Sequence, residues 1–148
     1  MYKALDIAKW FINRAIDDAP KSGEFMTPLK VQKLLYYSQG FNKIINKEQL
    51  FSEKIMAWQY GPVVEEVFSS LKKYGSNGIN EKLQLNKSIE SKVENVLNLV
   101  YNKLGQFSAY KLVELTHSET PWKVTEQSKE IKVGLIEKYF LENYFINA

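Results

Sequence analysis

Apolar residues recur every three or four positions along most of this 148-residue chain, a period typical of helices with one buried face. The first such stretch predicts a helix over about residues 4–18, which ends before the helix breakers around Gly23. A second helix is predicted over about residues 28–46, because Thr27 is a suitable N-cap and a proline follows it at the first helical position. Helices therefore dominate the first third of the chain.

The same period continues, with one ambiguous interval, to the end of the chain. Residues 55–58 could form an extended segment or one helical turn, and Gly61-Pro62 predicts the start of a helix that ends near Gly75. Further helices are predicted over about residues 88–104, 108–116 and 132–145, with one more helical turn at Trp122. The predicted fold class is mainly α: a compact, single-domain helical bundle of about six to seven helices with at most a small β element.

Length and composition favour a single domain, 1–148, because one hydrophobic core usually serves about 100 to 200 residues. The Gly-Ser-Asn-Gly turn at residues 75–78 marks a candidate seam between two subdomains near residues 75–87. The chain has no cysteine, which excludes a disulfide framework, a zinc–thiolate site and a cysteine nucleophile. We expect no cofactor.

The charges argue against sequence-specific DNA binding. The formal net charge is +3, and every basic residue except Arg14 is a lysine, whereas arginine is the preferred reader of guanine edges. Lysines and aromatic residues between positions 30 and 58 leave a nucleic-acid-binding regulator open as an alternative, although a solvated lysine face is favoured. No apolar run could span a membrane and the N-terminus lacks the pattern of a signal peptide, so we expect a cytoplasmic protein without a membrane partner.

The only histidine, His117, is the strongest candidate for acid–base chemistry, and Glu114 and Glu119 lie close enough in sequence to orient its ring. A hydrolytic site would also need an activated nucleophile and an oxyanion hole, which the pattern does not indicate. We therefore favour a structural role, in which His117 hydrogen-bonds a helix end, over catalysis. No acidic cluster has the spacing of metal ligands, so a metal site is not expected.

Aromatic residues accompany glycines and prolines in the middle of the chain. Tyr36 and Tyr37 are consecutive, and neighbours on a helix point about 100° apart. We expect one ring to face the core and the other to face a subdomain seam or a partner. For Trp58, Tyr60 and Trp122, core packing is favoured, and a place in a protein interface stays open because such residues often anchor interfaces.

Three stretches in a fixed order resemble one known family. They are Thr-Pro-Leu-Lys-Val-Gln-Lys-Leu-Leu-Tyr-Tyr-Ser-Gln-Gly at residues 27–40, Ala-Trp-Gln-Tyr-Gly-Pro-Val-Val at residues 57–64, and Leu112 to His117 followed by Pro121-Trp122. Together they resemble the Panacea domain, also called the SocA-like or phage-associated GepA-like antitoxin domain. The order and spacing match from about Asp6 to Phe140, and the departures are small: Val31 and Ser38 stand where the family often has leucine and alanine.

This resemblance implies a mostly helical protein that is not an enzyme. It implies an antitoxin that neutralises a cognate protein toxin, encoded by an adjacent gene, through direct protein–protein binding. One family member is a protease adaptor, so delivery of a toxin to a protease is an alternative, and a homodimer also stays open. The candidate partner-binding residues are Lys33, Tyr36, Tyr37, Gln39, Trp58, Tyr60, Gly61, Pro62, His117 and Trp122.

Overall fold

The computed structural model describes residues 1–145, which contain seven α-helices, one 3₁₀ helix and one β-hairpin. The helices are α1 (Ala4–Ser22), α2 (Pro28–Ile45), α3 (Glu65–Leu71), α4 (Ser91–Leu104), α5 (Ala109–His117), α6 (Thr120–Lys123) and α7 (Val133–Asn143). The hairpin consists of β1 (Ile55–Trp58) and β2 (Gly61–Val64), and the 3₁₀ helix is Lys72–Tyr74. The prediction of a mainly α fold with about six to seven helices and at most a small β element is confirmed.

Helix α2 is the centre of the fold. It begins as predicted, since the Thr27 side chain accepts a hydrogen bond from the Lys30 backbone N–H and Pro28 occupies the first helical position. All residues from 30 to 42 are buried, because α1, α3, α4, α5, α7 and β2 all pack against this helix. A helix surrounded on every side cannot have a polar face in water, so its polar side chains must find partners inside the protein.

The hairpin corrects one sequence expectation. Gly61-Pro62 does not start a helix: residues 61–64 form β2, which pairs antiparallel with β1 so that Trp58 lies opposite Gly61. Gly61 has a φ of 109°, a backbone conformation that excludes it from a right-handed helix. The helix begins only at Glu65, and the ambiguous segment 55–58 is extended.

Two helix ends also differ from the predictions. Helix α1 continues through Pro20 to Ser22, and Gly23 then adopts the left-handed conformation with its N–H bonded to the carbonyl of Ala19 at 2.8 Å. Helix α4 begins at Ser91, three residues later than predicted, with Glu90 as its N-cap. The two boundaries differ from the predictions by four and three residues, and the ends of helices are the part that local patterns predict least well.

The irregular segment 75–90 runs beside α1 and is hydrogen-bonded to it. The Leu83 N–H donates to Asn13 Oδ1 at 2.9 Å, and Asn13 donates back to the Leu83 carbonyl at 2.7 Å. Further along, the Asn86 N–H donates to the buried carboxylate of Asp6 at 3.0 Å. Side chains of α1 thus replace the backbone partners that an irregular segment lacks. A subdomain seam in this segment stays a prediction.

Candidate functional site

Polar side chains of α2 hold the β-hairpin in place. The Val64 N–H donates to Gln32 Oε1 at 2.9 Å, and Gln32 Nε2 donates to the Val64 carbonyl at 3.1 Å. The amide side chain therefore makes the pair of bonds that a further strand would make at the edge of β2. Because both backbone groups are buried, leaving them unpaired would destabilise the fold.

Lys33, the next residue of α2, lies directly under the hairpin turn. Its side chain has no exposed surface, and its Nζ donates to the Pro62 carbonyl at 3.1 Å. Burial lowers the pKa of the Lys33 amine to about 7. A Cβ at Gly61 would lie 2.9 Å from Lys33 Cε and 2.9 Å from Thr116 Oγ1. Glycine is therefore required at position 61 for two reasons: the positive φ of the backbone and the close approach of the Lys33 side chain.

Gln39 acts in the same way two turns later in α2. Its Oε1 accepts from the Leu50 N–H at 2.7 Å, and its Nε2 donates to the Phe51 carbonyl at 2.8 Å. Phe51 and Gln39 are both fully buried. The Gln39 side chain thus binds the backbone of residues 50–51, the segment that leads into the hairpin, and holds it against α2.

A buried carboxylate joins α2 to the other end of the chain. Glu119, in the connection between α5 and α6, accepts hydrogen bonds from the hydroxyl groups of Tyr36 at 3.0 Å, Tyr37 at 3.1 Å and Tyr144. Burial raises the pKa of the Glu119 carboxyl, and the three donors act in the opposite direction. Burial together with the neighbouring carboxylate raises the pKa of all three tyrosines.

The expectation that Tyr36 and Tyr37 face different surroundings is wrong. Neither ring has any exposed surface, and their centroids are 5.0 Å apart. Phe140 of α7 covers both: its ring meets Tyr36 edge-on at 5.4 Å and stacks on Tyr37 at 5.7 Å. The α7 helix and the α5–α6 connection close over the side of α2 that was expected to face outward, so both hydroxyl groups reach the same carboxylate.

Trp122 and His117 lie against the hairpin from the other side. The indole N–H of Trp122 donates to the Trp58 carbonyl at 2.8 Å, and the His117 ring stacks on the Trp122 ring with centroids 4.0 Å apart. The buried Nε2 of His117 has no hydrogen-bond partner among the described residues. The expected hydrogen bond to a helix end is therefore not made by this nitrogen, and Glu119, which could have oriented the ring, is bound to the tyrosines.

Two adjacent cavities open on the surface beside this cluster. The first has a volume of about 480 Å³ and lies between the hairpin, the start of α2 and Phe68 of α3; the second, about 530 Å³, lies between the hairpin turn and α5. Leu29 and Tyr60 line both cavities. We call the residues around them the Tyr60 surface: Leu29, Trp58, Tyr60, Phe68, Tyr110 and His117.

Much of the Tyr60 surface is exposed apolar area. Tyr60 is 60% exposed and Tyr110 is 74% exposed, while Leu29 and Phe68 are each exposed by about two fifths. Large apolar side chains placed together on a surface are typical of interaction sites. The helical spacing of α3 predicts that Phe68 is buried with Val67 and Leu71, and this is wrong for Phe68. Its ring lies in the middle of this short helix and meets the Trp58 ring edge-on at 5.2 Å, at the rim of the first cavity.

The structure divides the ten predicted site residues into two groups. Trp58, Tyr60, His117 and Trp122 meet near the hairpin and are at least partly exposed. The other six have little or no exposed surface, so in this conformation a partner would not touch their side chains; they are Lys33, Tyr36, Tyr37, Gln39, Gly61 and Pro62. They support the Tyr60 surface from beneath, through the bonds to the hairpin and to Glu119.

The sequence interpretation missed Leu29, Phe68 and Tyr110 as parts of the surface. Leu29 is the first apolar residue after the N-cap pair, and apolar residues at that position are easily taken for core. Tyr110 lies on α5 two residues after the N-cap Ser108, and its side chain is exposed. The three residues lie on one surface because the hairpin turn is placed between α2, α3 and α5, and no local sequence pattern specifies this placement.

The part of the chain that the structure covers shows neither a metal site nor a membrane-spanning helix. Within residues 1–145, no three histidine, aspartate or glutamate side chains come together as a metal site would require. None of the helices in this range has both the length and the apolar character needed to cross a membrane. The side chains that converge are mainly aromatic and amide groups, which favour binding of another molecule by contact.

Comparison with known proteins gives one family match. The family model described as antitoxin SocA-like, Panacea domain, matches residues 31–123, from α2 through the hairpin to α6. Neither a curated protein nor a solved structure matches the chain significantly. The matched range includes α2, the hairpin and Trp122, and thus both the buried contacts and most of the Tyr60 surface.

Proposed function

This chain belongs to the family of SocA-like antitoxins with a Panacea domain, and from that premise we propose that it neutralises a protein toxin by binding it directly. The toxin is the product of an adjacent gene. The observation that supports direct binding is the Tyr60 surface, where aromatic and apolar side chains stand exposed beside two cavities. Tyrosine and tryptophan anchors of this kind carry much of the binding energy in protein interfaces.

In this proposal the family motif has two jobs. The buried residues of α2, among them Gln32, Lys33 and Gln39, hold the hairpin rigidly against the helix. The exposed residues, among them Trp58 and Tyr60, then contact the toxin with little loss of conformational freedom, because their supports are already ordered. The whole chain acts as one binding unit, and an interface of standard size would bury about 1,200–2,000 Å².

The test is co-expression of the chain with the product of each adjacent gene. We expect one such product to stop bacterial growth, and the wild-type chain to restore growth and to bind that product in a pull-down. Tyr60→Asp and Tyr110→Asp are expected to lose both effects while remaining folded by circular dichroism. Leu141→Asp is the matched control, since Leu141 is a similarly exposed apolar residue on α7 that lines neither cavity.

Toxin abundance in the same cells separates two ways of neutralising. Direct occlusion leaves the amount of toxin unchanged when the antitoxin is present, whereas delivery to a protease reduces it. If the wild-type chain binds no adjacent product and leaves poisoned cells unprotected, the proposed function is wrong. If protection survives both aspartate substitutions, the toxin is bound elsewhere on the protein.

A further inference from the structure

The two cavities of the Tyr60 surface are adjacent and share two lining residues. Each has a volume within the range of about 300–1,000 Å³ in which pockets enclose compact ligands. Leu29 and Tyr60 line both of them. Since both side chains are exposed, a segment that lies across Tyr60 can place one side chain in each cavity.

The charges around the cavities are unusual for this protein. The chain has 20 lysine and arginine residues, yet within residues 1–145 none of them lines either cavity. Among the described residues, none that lines the first cavity is charged, and its lining includes the uncharged polar side chains of Gln32, Gln59, Gln127 and Ser128. The second has one formal charge, Glu114, which is exposed and shares the wall with His117. An acidic occupant would find no cation here, and a basic one would find a carboxylate.

The proposed function gives this surface a protein partner, and on that basis we infer the chemistry of the partner segment. The Tyr60 surface binds a peptide segment of the toxin with two large apolar side chains, one for each cavity, and with a lysine or arginine beside the second that pairs with Glu114. The apolar side chains supply the affinity through burial. The exposed ion pair supplies selectivity and little affinity, since such pairs contribute about 0.2–1 kcal/mol.

The experiment uses a phage library of random 15-residue peptides, selected on the immobilised full-length wild-type chain. We expect the selected peptides to share two large apolar residues at a fixed spacing with a lysine or arginine next to one of them. Synthetic peptides are then titrated by fluorescence anisotropy. Tyr60→Asp is expected to weaken binding at least ten-fold, as is Tyr110→Asp, and Leu141→Asp is expected to bind like the wild type.

A charge exchange tests the role of Glu114. Glu114→Gln is expected to weaken peptide binding by about 1.4- to 5-fold, which is the ratio that an exposed ion pair of this strength produces. A peptide in which glutamate replaces the basic residue is expected to bind the wild type more weakly. It is expected to bind Glu114→Lys more tightly than it binds the wild type, because the two exchanged charges again attract each other. A peptide whose affinity ignores both changes contradicts the assignment of the ion pair.

The outcomes separate this inference from the proposed function. Selected peptides that are acidic, that share no pattern, or that bind Tyr60→Asp as tightly as the wild type would overturn the inference, even if the chain protects cells from its toxin. Peptides with the expected pattern, combined with a wild-type chain that protects no cell from any adjacent product, would support the inferred recognition chemistry and reject the antitoxin role.

Discussion

Lys33 makes the stability of this protein rise with pH, whereas a lysine in an ordinary surface ion pair loses its stabilising effect as pH rises. Its Nζ is fully buried with the Pro62 carbonyl as acceptor, and burial lowers the pKa of its amine from 10.5 to about 7. The unfolded chain therefore binds more protons than the folded one between pH 7 and 10.5, so stability rises with pH in that window. With about 1.36 kcal/mol for each pKa unit, the rise from pH 7 to pH 9 is about 2 kcal/mol.

The assay is urea unfolding of the wild type and of Lys33→Met at pH 7, 8 and 9. We expect the free energy of unfolding of Lys33→Met to gain about 2 kcal/mol less than that of the wild type over this range. Lys54→Met, at an exposed lysine next to β1, is the control and is expected to keep the wild-type pH dependence. The range stops at pH 9 because the raised pKa values of Tyr36 and Tyr37 lower stability once unfolded tyrosines ionise near pH 10.

The result that refutes this reasoning is an identical pH dependence in the wild type and Lys33→Met. It would mean that the ammonium group stays protonated in the folded protein at neutral pH, and that water reaches it beneath the hairpin. The turn at Gly61 would then be more open than its contact with Lys33 indicates.

Three substitutions test the packing around α2. Glu119→Ala removes the acceptor of three tyrosine hydroxyl groups and is expected to lower the free energy of unfolding, measured in urea, by about 2–5 kcal/mol. Gly40→Ala puts a Cβ 2.3 Å from ring carbons of Phe140; we expect a loss of about 1–3 kcal/mol by thermal unfolding, whereas Gly134→Ala in open space on α7 should lose nothing. Gly61→Ala, at a φ of 109°, is expected to lose about 1–3 kcal/mol, and unchanged stability there would contradict the strain argument.

Local patterns predict the helices of this protein well because their signals are local. The Thr27 hydroxyl caps α2 only three residues away from its donor, and Ser108 does the same for α5. The hairpin escapes this kind of prediction, since Gly61-Pro62 is compatible with a helix start until its φ is known. Its two strands have only four residues each, too few for a period to be recognised.

The buried polar contacts could not be predicted because their partners are far apart in sequence. Gln32 pairs with a backbone group 32 residues away, and Tyr36 with a carboxylate 83 residues away. A helical period marks which positions face the same side, but it does not say which other element covers that side. For α2 every side is covered, so polar residues that appear fit for a partner surface are interior.

The resemblance to the family identified the correct stretches without revealing which of their residues are exposed. Of the candidate residues, Tyr60 combines high exposure with a place in both cavities. Leu29 also lines both cavities. It was overlooked because it follows Pro28 at the start of α2 and was interpreted only as part of a helix start. Exposure depends on how the hairpin turn lies over α2, which is a property of the assembled fold.

The inward orientation of the α2 motif has a consequence for how proteins of this kind can diversify. The α2 part of the family motif builds the scaffold, from Gln32 at the sheet edge to Gln39 at the entry of the hairpin. The residues proposed to contact a toxin lie on the hairpin turn and on α5, where substitutions leave the hydrogen bonds of Gln32 and Gln39 intact. Under the proposed function, substitution of a few outward side chains would change the partner and leave the interior unchanged, so similarity in the buried motif predicts the fold and not the identity of the partner.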